Sequence, residues 1–153
     1  MKRTTKLIAI DPGKATGFAV IDFEDMDNIS VVQSSELEQY ETCETVEKLL
    51  EEDASSYEIV MEKFTITTQT GKNTNGGNWS PEIIGCVRYF AQKFDVPFTE
   101  QTPAEAKKFV PNDRMKAVGI WHVGGEGHAR DALRHGVLYL VKHKGWRPEG
   151  LLG

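Results

Sequence analysis

The sequence is poor in cysteine, with two among 153 residues, and it has no apolar run as long as a membrane span. Cys43 and Cys86 lack the spacing of a metal site and do not make a disulfide framework. No signal or transit segment is expected, because the basic residues 1–3 lead directly into a strand-like run. These absences argue against a secreted or membrane protein, so we expect a reduced, cytoplasmic setting without membrane contact.

Positive charge is also scarce, with 18 Lys and Arg against 23 Asp and Glu, a net charge of −5. The deficit lies in residues 1–62, which hold 5 basic and 15 acidic residues. Residues 63–153 hold 13 basic and 8 acidic residues, a local charge of +5. Because nucleic-acid binding depends on local charge, the second part of the chain can still contact phosphates.

The composition is that of a globular protein, with 39% hydrophobic and 27% charged residues. The length fits one domain over residues 1–153, and no internal repeat or domain boundary is visible. Strands are predicted at residues 7–10, 17–21, 29–33, 57–64 and 96–101. Helices are predicted at residues 40–53, 80–94, 102–110, 113–121 and 128–144, and a long loop at 65–79.

The order of these elements predicts the fold class. The first two strands are joined by the short turn DPGKAT and are therefore antiparallel, and the third strand extends this antiparallel set. Helices and strands alternate after that, which is typical of parallel pairing. We therefore predict an α/β domain with a mixed five-stranded sheet, three antiparallel strands and then parallel ones, flanked by helices.

Two of the predicted strands end on or near an acid, Asp11 after the first and Glu62 in the fourth. If these strands are parallel neighbours, both carboxylates lie at the edge where open α/β sheets bind ligands. His128 and Asp131 are three residues apart and share a face at the start of the last helix. Such an oxygen-rich set suits Mg²⁺ or Mn²⁺ better than zinc.

Each of these residues also has a structural explanation when it is taken alone. Asp11 precedes Pro-Gly and fits a turn, and Glu62 fits an exposed strand end. Asp131 can pair with a basic residue one helical turn later, and His128 can be a polar residue at a helix start. No single residue decides between the two readings.

The pattern as a whole resembles the RuvC-like Holliday-junction resolvases of the RNase H-like nuclease superfamily. The matching stretches are IAIDPGKATGFAVID, IVMEKF, TEQTPAEAKKFV and HARDALRHGVLYL. They occur in the family's order and span nearly the whole chain. The late His-x-x-Asp-Ala is the most telling part when Glu62 and the Thr-Pro-x-Glu-x-Lys-Lys stretch precede it. The resemblance implies an RNase H-like fold.

The resemblance also implies an active site. Its catalytic residues, which would also be its metal ligands, are Asp11, Glu62, His128 and Asp131. The implied cofactor is Mg²⁺, two ions per active site, with Mn²⁺ as a substitute. Some relatives have Asp at the position of His128, so this residue either binds metal directly or positions the attacking water.

The implied activity is that of a metal-dependent endodeoxyribonuclease. It would resolve four-way DNA junctions by paired phosphodiester hydrolysis, leaving 5′-phosphate and 3′-hydroxyl ends, in a bacterial or bacteriophage-infected cytoplasm. The implied partner is a second copy of the chain, with the helix at 80–94 as the contact. Its apolar residues would serve equally as an intrachain core, and these are Ile83, Ile84, Val87 and Phe90.

DNA contacts are predicted for basic residues on two neighbouring short helices and for residues in and beside the long loop. These residues are Phe64, Lys72, Lys107, Lys108, Arg114 and Lys116, with Trp79 as a stacking surface. Solvated helix faces are the alternative reading of the lysines. An ordinary core position is the alternative for Phe64, and anchoring of the loop for Trp79.

Three other functions fit parts of the pattern. Asp-x-Gly…Thr-Gly hairpins also bind ATP phosphates in sugar kinases and chaperone ATPases, but those proteins need two such lobes and this chain supplies one. An RNase H-like nuclease acting on other branched DNA or on RNA–DNA hybrids would have the same metal site. A junction-binding protein that does not cut would be expected to lack one of the acids, and none is missing here.

Overall fold

The chain forms one five-stranded sheet with helices on both faces, as described by a computed structural model for residues 3–64, 79–121 and 127–149. The strands are β1 (Lys6–Asp11), β2 (Thr16–Asp22), β3 (Ser30–Leu37), β4 (Tyr57–Glu62) and β5 (Phe98–Gln101). The helices are α1 (Gln39–Asp53), α2 (Trp79–Lys93), α3 (Pro103–Phe109), α4 (Asn112–Ala117) and α5 (Gly127–Lys144). A short 3₁₀ turn, Ala54–Ser56, precedes β4.

The sheet has the order β3-β2-β1-β4-β5. β1 pairs antiparallel with β2 and parallel with β4, and β5 continues the parallel set. The predicted fold class is therefore confirmed. β3 is longer than predicted, because residues 34–37 continue the pairing with β2.

The sheet is covered on both faces, which explains the continuous apolar run of β1. Leu7 and Ala9 pack in a layer with α5 and the short helices α3 and α4. Ile8 and Ile10 point to the other face, where they join α1 and α2. Strand β1 is thus at the centre of the molecule. The packing on both faces fixes the position of Asp11, which ends this strand. No helix in the described ranges is long and apolar enough to cross a bilayer.

The two cysteines lie close together although they are distant in sequence. Cys43 on α1 and Cys86 on α2 are both free and partly buried, and their thiols are in hydrogen-bond contact. Burial and the neighbouring thiol raise the pKa of Cys86 to about 12. Their sequence spacing did not indicate this contact, because it depends on the packing of α1 against α2.

A buried carboxylate joins the C-terminal end of α5 to the sheet. Glu58 of β4 is 5% exposed. It accepts hydrogen bonds from Thr4, from the Tyr139 hydroxyl and from Lys144. Burial acts to raise the pKa of Glu58, but the bonds from Lys144, Thr4 and Tyr139 outweigh it and hold the pKa below its ordinary value.

This arrangement predicts a pH-dependent contribution to stability. Because the folded-state pKa is lowered, the contribution is complete above the ordinary value of 4.5 and is lost as the pH falls through the folded value. At pH 7, Glu58→Gln should lower the free energy of unfolding by about 2–3 kcal/mol. Urea titrations of both proteins between pH 7 and pH 3 should show this difference shrinking below pH 4.5. A difference that stays constant over this range would contradict the assignment.

Candidate active site

The parallel pairing of β1 with β4 brings two acids to one edge of the sheet. Ile10 lies opposite Met61, so the following residues, Asp11 and Glu62, emerge together at the carboxyl ends of the two strands. Gln101, the last residue of β5, pairs with Glu62 and lies at the same edge. The predicted convergence of Asp11 and Glu62 is therefore present in the fold.

The two carboxyl groups and a histidine form a hydrogen-bonded chain. Asp11 is 3% exposed and is hydrogen-bonded to Glu62. Its Oδ2 lies 3.0 Å from Nδ1 of His128, whose side chain is 42% exposed. Residues from β1, β4 and the first turn of α5 thus meet at one point, with the aspartate innermost and the imidazole toward solvent.

The pKa values of the two acids are shifted in opposite directions, although burial acts to raise both. Burial, the hydrogen bond to Glu62 and the charges of Glu62 and Asp131 raise the pKa of Asp11 far above its ordinary range, against a smaller opposite effect of Lys107. Burial also acts to raise the pKa of Glu62, but hydrogen bonds from His135 and Asp11 lower it below the ordinary range. Without a cation, the burial of the pair and the contact between its two carboxyl groups therefore disfavour a charge on both groups at once.

Asp131 is close to this chain but is bound to a neighbouring side chain. Its Oδ1 accepts a hydrogen bond of 3.3 Å from Nε of Arg134, one turn along α5. Arg134 is fixed in turn by the carbonyl of Val110 and by Oδ1 of Asn112, at 2.5 and 2.7 Å. Asp131 therefore contributes its charge to the site from a position set by the buried arginine.

The four predicted ligands do not surround one point as placed. Within residues 3–64, 79–121 and 127–149, no three His, Cys, Asp or Glu side chains are arranged so that they could hold one metal ion together. The acids instead contact each other, His128, His135 and Arg134. Ligation by Asp11, Glu62, His128 and Asp131 stays a prediction.

Gly17 determines how closely α5 approaches the sheet. It lies opposite Asp11 in the β1–β2 pair. A Cβ atom built on Gly17 would lie 1.8 Å from the carbonyl oxygen of His128 and 2.4 Å from its carbonyl carbon. Only glycine leaves room for this helix backbone, so the Thr-Gly of the opening hairpin has a steric role in bringing His128 to Asp11.

Two residues of the site were not predicted. His135 is buried, and its Nε2 lies 3.4 Å from Oε1 of Glu62. Gln101 is 1% exposed and contacts the same imidazole. One available signal was the spacing of His128, Asp131 and His135 at intervals of three and four, which places all three on one face of α5.

The basic residues predicted to contact DNA lie on α3 and α4 and differ in their contacts within the chain. Lys107 and Lys108 are exposed on α3, and Lys107 is near enough to the acids to lower the pKa of both. Arg114 donates to the carbonyl of Phe109 at 2.9 Å and so has an intrachain role. Lys116 is exposed, with its Nζ 4.6 Å from the centre of the Trp121 ring.

The remaining predicted contacts are less informative. Phe64 is partly buried and packs against the core layer of α1 and α2, which matches its core alternative. Lys72 and the side chain of Trp79 lie outside the described residues. Trp121 was not predicted as part of a basic surface, although Arg130 also lies over its ring, at 4.7 Å.

The predicted dimer contact on α2 is largely used within the chain. Ile83 and Val87 are fully buried in the layer shared with α1, and Ile84 is 6% exposed. This arrangement matches the intrachain alternative for these residues. Tyr89 on the same helix is 60% exposed, so α2 still presents an aromatic residue to solvent.

No family model and no curated protein sequence matches the chain, whereas solved structures do. RuvC of Thermus thermophilus aligns with a TM-score of 0.67 at 15% identity, covering 94% of this chain and 99% of that one. The same protein in complex with Holliday junction substrate aligns at 0.65 and 13%, with the same coverage. The fowlpox virus Holliday junction resolvase aligns at 0.56 and 11%, covering 90% and 99%. These alignments show a common fold.

Proposed function

We propose that this chain, which has the fold of the RuvC-type Holliday junction resolvases, is a metal-dependent endonuclease that resolves four-way DNA junctions. The observation that carries the proposal is the buried Asp11, hydrogen-bonded to Glu62 and contacted by His128 at the carboxyl edge of this fold. A buried carboxylate pressed against a second one is costly unless a proton or a cation compensates it. A purely structural role does not explain why the fold buries two carboxyl groups side by side at a cost in free energy.

The chemistry of these donors fits a hard divalent cation. Asp11 and Glu62 supply carboxylate oxygens in direct contact, and positive charge between them would offset the cost of keeping both groups charged. Asp131 adds a third carboxylate nearby, and His128 an imidazole. We propose that these four residues hold Mg²⁺, two ions per site, and that Mn²⁺ substitutes. The bound ions would supply an activated water and stabilise the leaving 3′ oxygen.

The chain's own residues would have distinct roles. Asp11, whose carboxyl group lies at the centre of the site, would be the central residue that holds the metal. Glu62 would help to hold the ion that activates the attacking water. His128 contacts Asp11 through Nδ1, which leaves Nε2 to bind metal or to hold a water for proton transfer. Asp131 would complete the site from its position beside Arg134.

DNA binding and pairing of two chains complete the proposal. Paired cutting of two opposed strands at one junction is achieved most directly by two active sites that face it, and we propose a symmetric homodimer as their source. Phosphate contacts are proposed for the basic residues of α3 and α4. A contact near the branch point is proposed for the part of the Phe64 side chain that its packing against the core leaves accessible. Lys107 and Lys108 are exposed on α3, and the charge of Lys107 acts on both Asp11 and Glu62. A phosphate held there would therefore be close to the site.

The test is incubation with labelled four-way, Y-shaped, linear and RNA–DNA hybrid substrates, with and without Mg²⁺. We expect paired nicks near the branch point of the four-way junction, in the presence of metal only, with 5′-phosphate ends. Preferential cutting of the hybrid or the Y-shaped substrate would instead indicate a related nuclease of different substrate class. Binding of the four-way junction without cutting under any metal condition would indicate a non-cleaving junction-binding protein. Cutting without metal would refute the metal site.

A further inference from the structure

The buried pair Gln101 and His135 has no place in the chemistry described so far. His135 is on the middle of α5, 1% exposed, and Gln101 ends β5 with the same low exposure. Nε2 of Gln101 lies 3.1 Å from Nδ1 of His135 and 3.0 Å from its carbonyl oxygen. The other ring nitrogen, Nε2, lies 3.4 Å from Oε1 of Glu62.

The contacts of Gln101 define which ring nitrogen of His135 carries the proton. The amide nitrogen of Gln101 has two hydrogens, and one of them is directed to the carbonyl oxygen of His135. In this orientation Oε1 of Gln101 is buried without a hydrogen-bond partner among the described residues. The opposite orientation would instead place Oε1 about 3 Å from that carbonyl oxygen, where two acceptors repel each other. In the first orientation the second hydrogen of the amide is available to Nδ1, which lies 3.1 Å away. A ring that accepts at Nδ1 carries its proton on Nε2.

We infer that Gln101 fixes His135 as the Nε2–H tautomer, which donates to Oε1 of Glu62 and thereby orients this carboxylate toward Asp11. His135 is a positioning residue in this scheme, since it acts on the site only through Glu62. The inference deepens the proposed function. It concerns a hydrogen bond of the metal-free protein, and its role in metal binding and cutting rests on that function.

The direct test is nitrogen-15 NMR of the imidazole rings in the metal-free, unmutated protein. We expect His135 to show a protonated Nε2 and an unprotonated Nδ1, with the assignment made by loss of the signals in His135→Phe. Protonation at Nδ1, or at both nitrogens, would overturn the inference. The measurement does not depend on cleavage. If His135→Phe does not fold, the signals of His135 are identified by elimination, because His128→Asn, His122→Asn and His143→Asn assign the other three rings.

A pair of substitutions separates donation from packing. His135→Phe keeps a buried ring but removes the donor, whereas His135→Gln restores an N–H near the position of Nε2. We expect Mn²⁺ affinity and kcat to fall by about 10–100-fold in His135→Phe, with KM for the junction unchanged, and to recover in part in His135→Gln. His143→Phe is the matched control, since His143 is exposed on the same helix and should change neither quantity.

The outcomes distinguish the two proposals. If His135 matters only for packing, His135→Gln should be no better than His135→Phe in Mn²⁺ affinity and kcat, and the inference fails. If no substrate is cut and Mn²⁺ does not bind, the proposed function fails. The tautomer measured in the unmutated protein would still show whether Nε2 of His135 carries the proton that it is inferred to donate to Glu62.

Discussion

Replacement of Asp11 by asparagine should reduce junction cleavage by at least about 10³-fold while junction binding stays within about threefold of the unmutated protein. The physical reason is that Asp11 supplies charge at the centre of the site and makes no phosphate contact of its own. Asparagine keeps the size of the buried side chain and can still donate to Glu62. Cleavage is measured by nicking of a labelled four-way junction, and binding by fluorescence anisotropy in Ca²⁺.

The fold of the Asp11→Asn variant should be intact. Asp11 is buried beside Glu62 and has a raised pKa, so its charged form is disfavoured in the metal-free protein, and asparagine, which is always neutral, avoids that cost. We therefore expect an unfolding free energy equal to or above that of the unmutated protein at pH 7 without metal. Asp22→Asn is a matched control, because Asp22 ends β2 and accepts only a local bond from the amide of Glu24 in the described structure. Undiminished cutting by Asp11→Asn would refute the site.

The substitution Gly17→Ala should destabilise the protein and impair the site together. The added Cβ would overlap backbone atoms of His128, which no side-chain rotation can relieve. The first turn of α5 must therefore move away from β2, and His128 with it. We expect a loss of about 1–3 kcal/mol of unfolding free energy, and a fall in cleavage under conditions where the variant is folded. Urea unfolding and single-turnover cleavage measure the two effects.

Gly85→Ala is the matched control for Gly17→Ala. Gly85 lies within α2, and a Cβ there would meet nothing within 4 Å. Alanine favours the helix, so Gly85→Ala should raise the unfolding free energy by about 0.5–1 kcal/mol and leave cleavage unchanged. Equal effects of the two substitutions would show that the close approach of α5 to β2 is not important.

The sequence predicted those features that depend on local pattern and on element order. The apolar run before Asp11 and the alternation of helices and strands were enough to place Asp11 and Glu62 at one edge. The length of β3 was underestimated, because Ser34 and Ser35 are polar and their pairing with β2 is a long-range property. Pattern alone could not assign Ile83 and Val87 to a core or to an interface, because both environments select the same apolar residues.

The contacts of the site side chains were harder to predict than their positions. His135 has the helical spacing of a core residue, and nothing local shows that its ring reaches Glu62. Gln101 acquires its role only because β5 pairs beside β4 and brings the end of β5 to His135 on α5. Asp131 was correctly placed on the face of His128, but its bond to Arg134 was one of two options that the spacing allowed.

The distance along the chain between Asp11 and His128 has a consequence for protein synthesis. The two residues are separated by 117 positions, and α5 covers the central strands as the last helix of the described fold. A ribosome-bound chain that has not yet released α5 lacks His128 and Asp131 at the site, and its central strands are without the helix that packs on them. The proposed DNA-cutting chemistry is therefore restricted to molecules whose translation has passed the last helix, and prematurely terminated chains should be harmless to the genome of the cell that makes them.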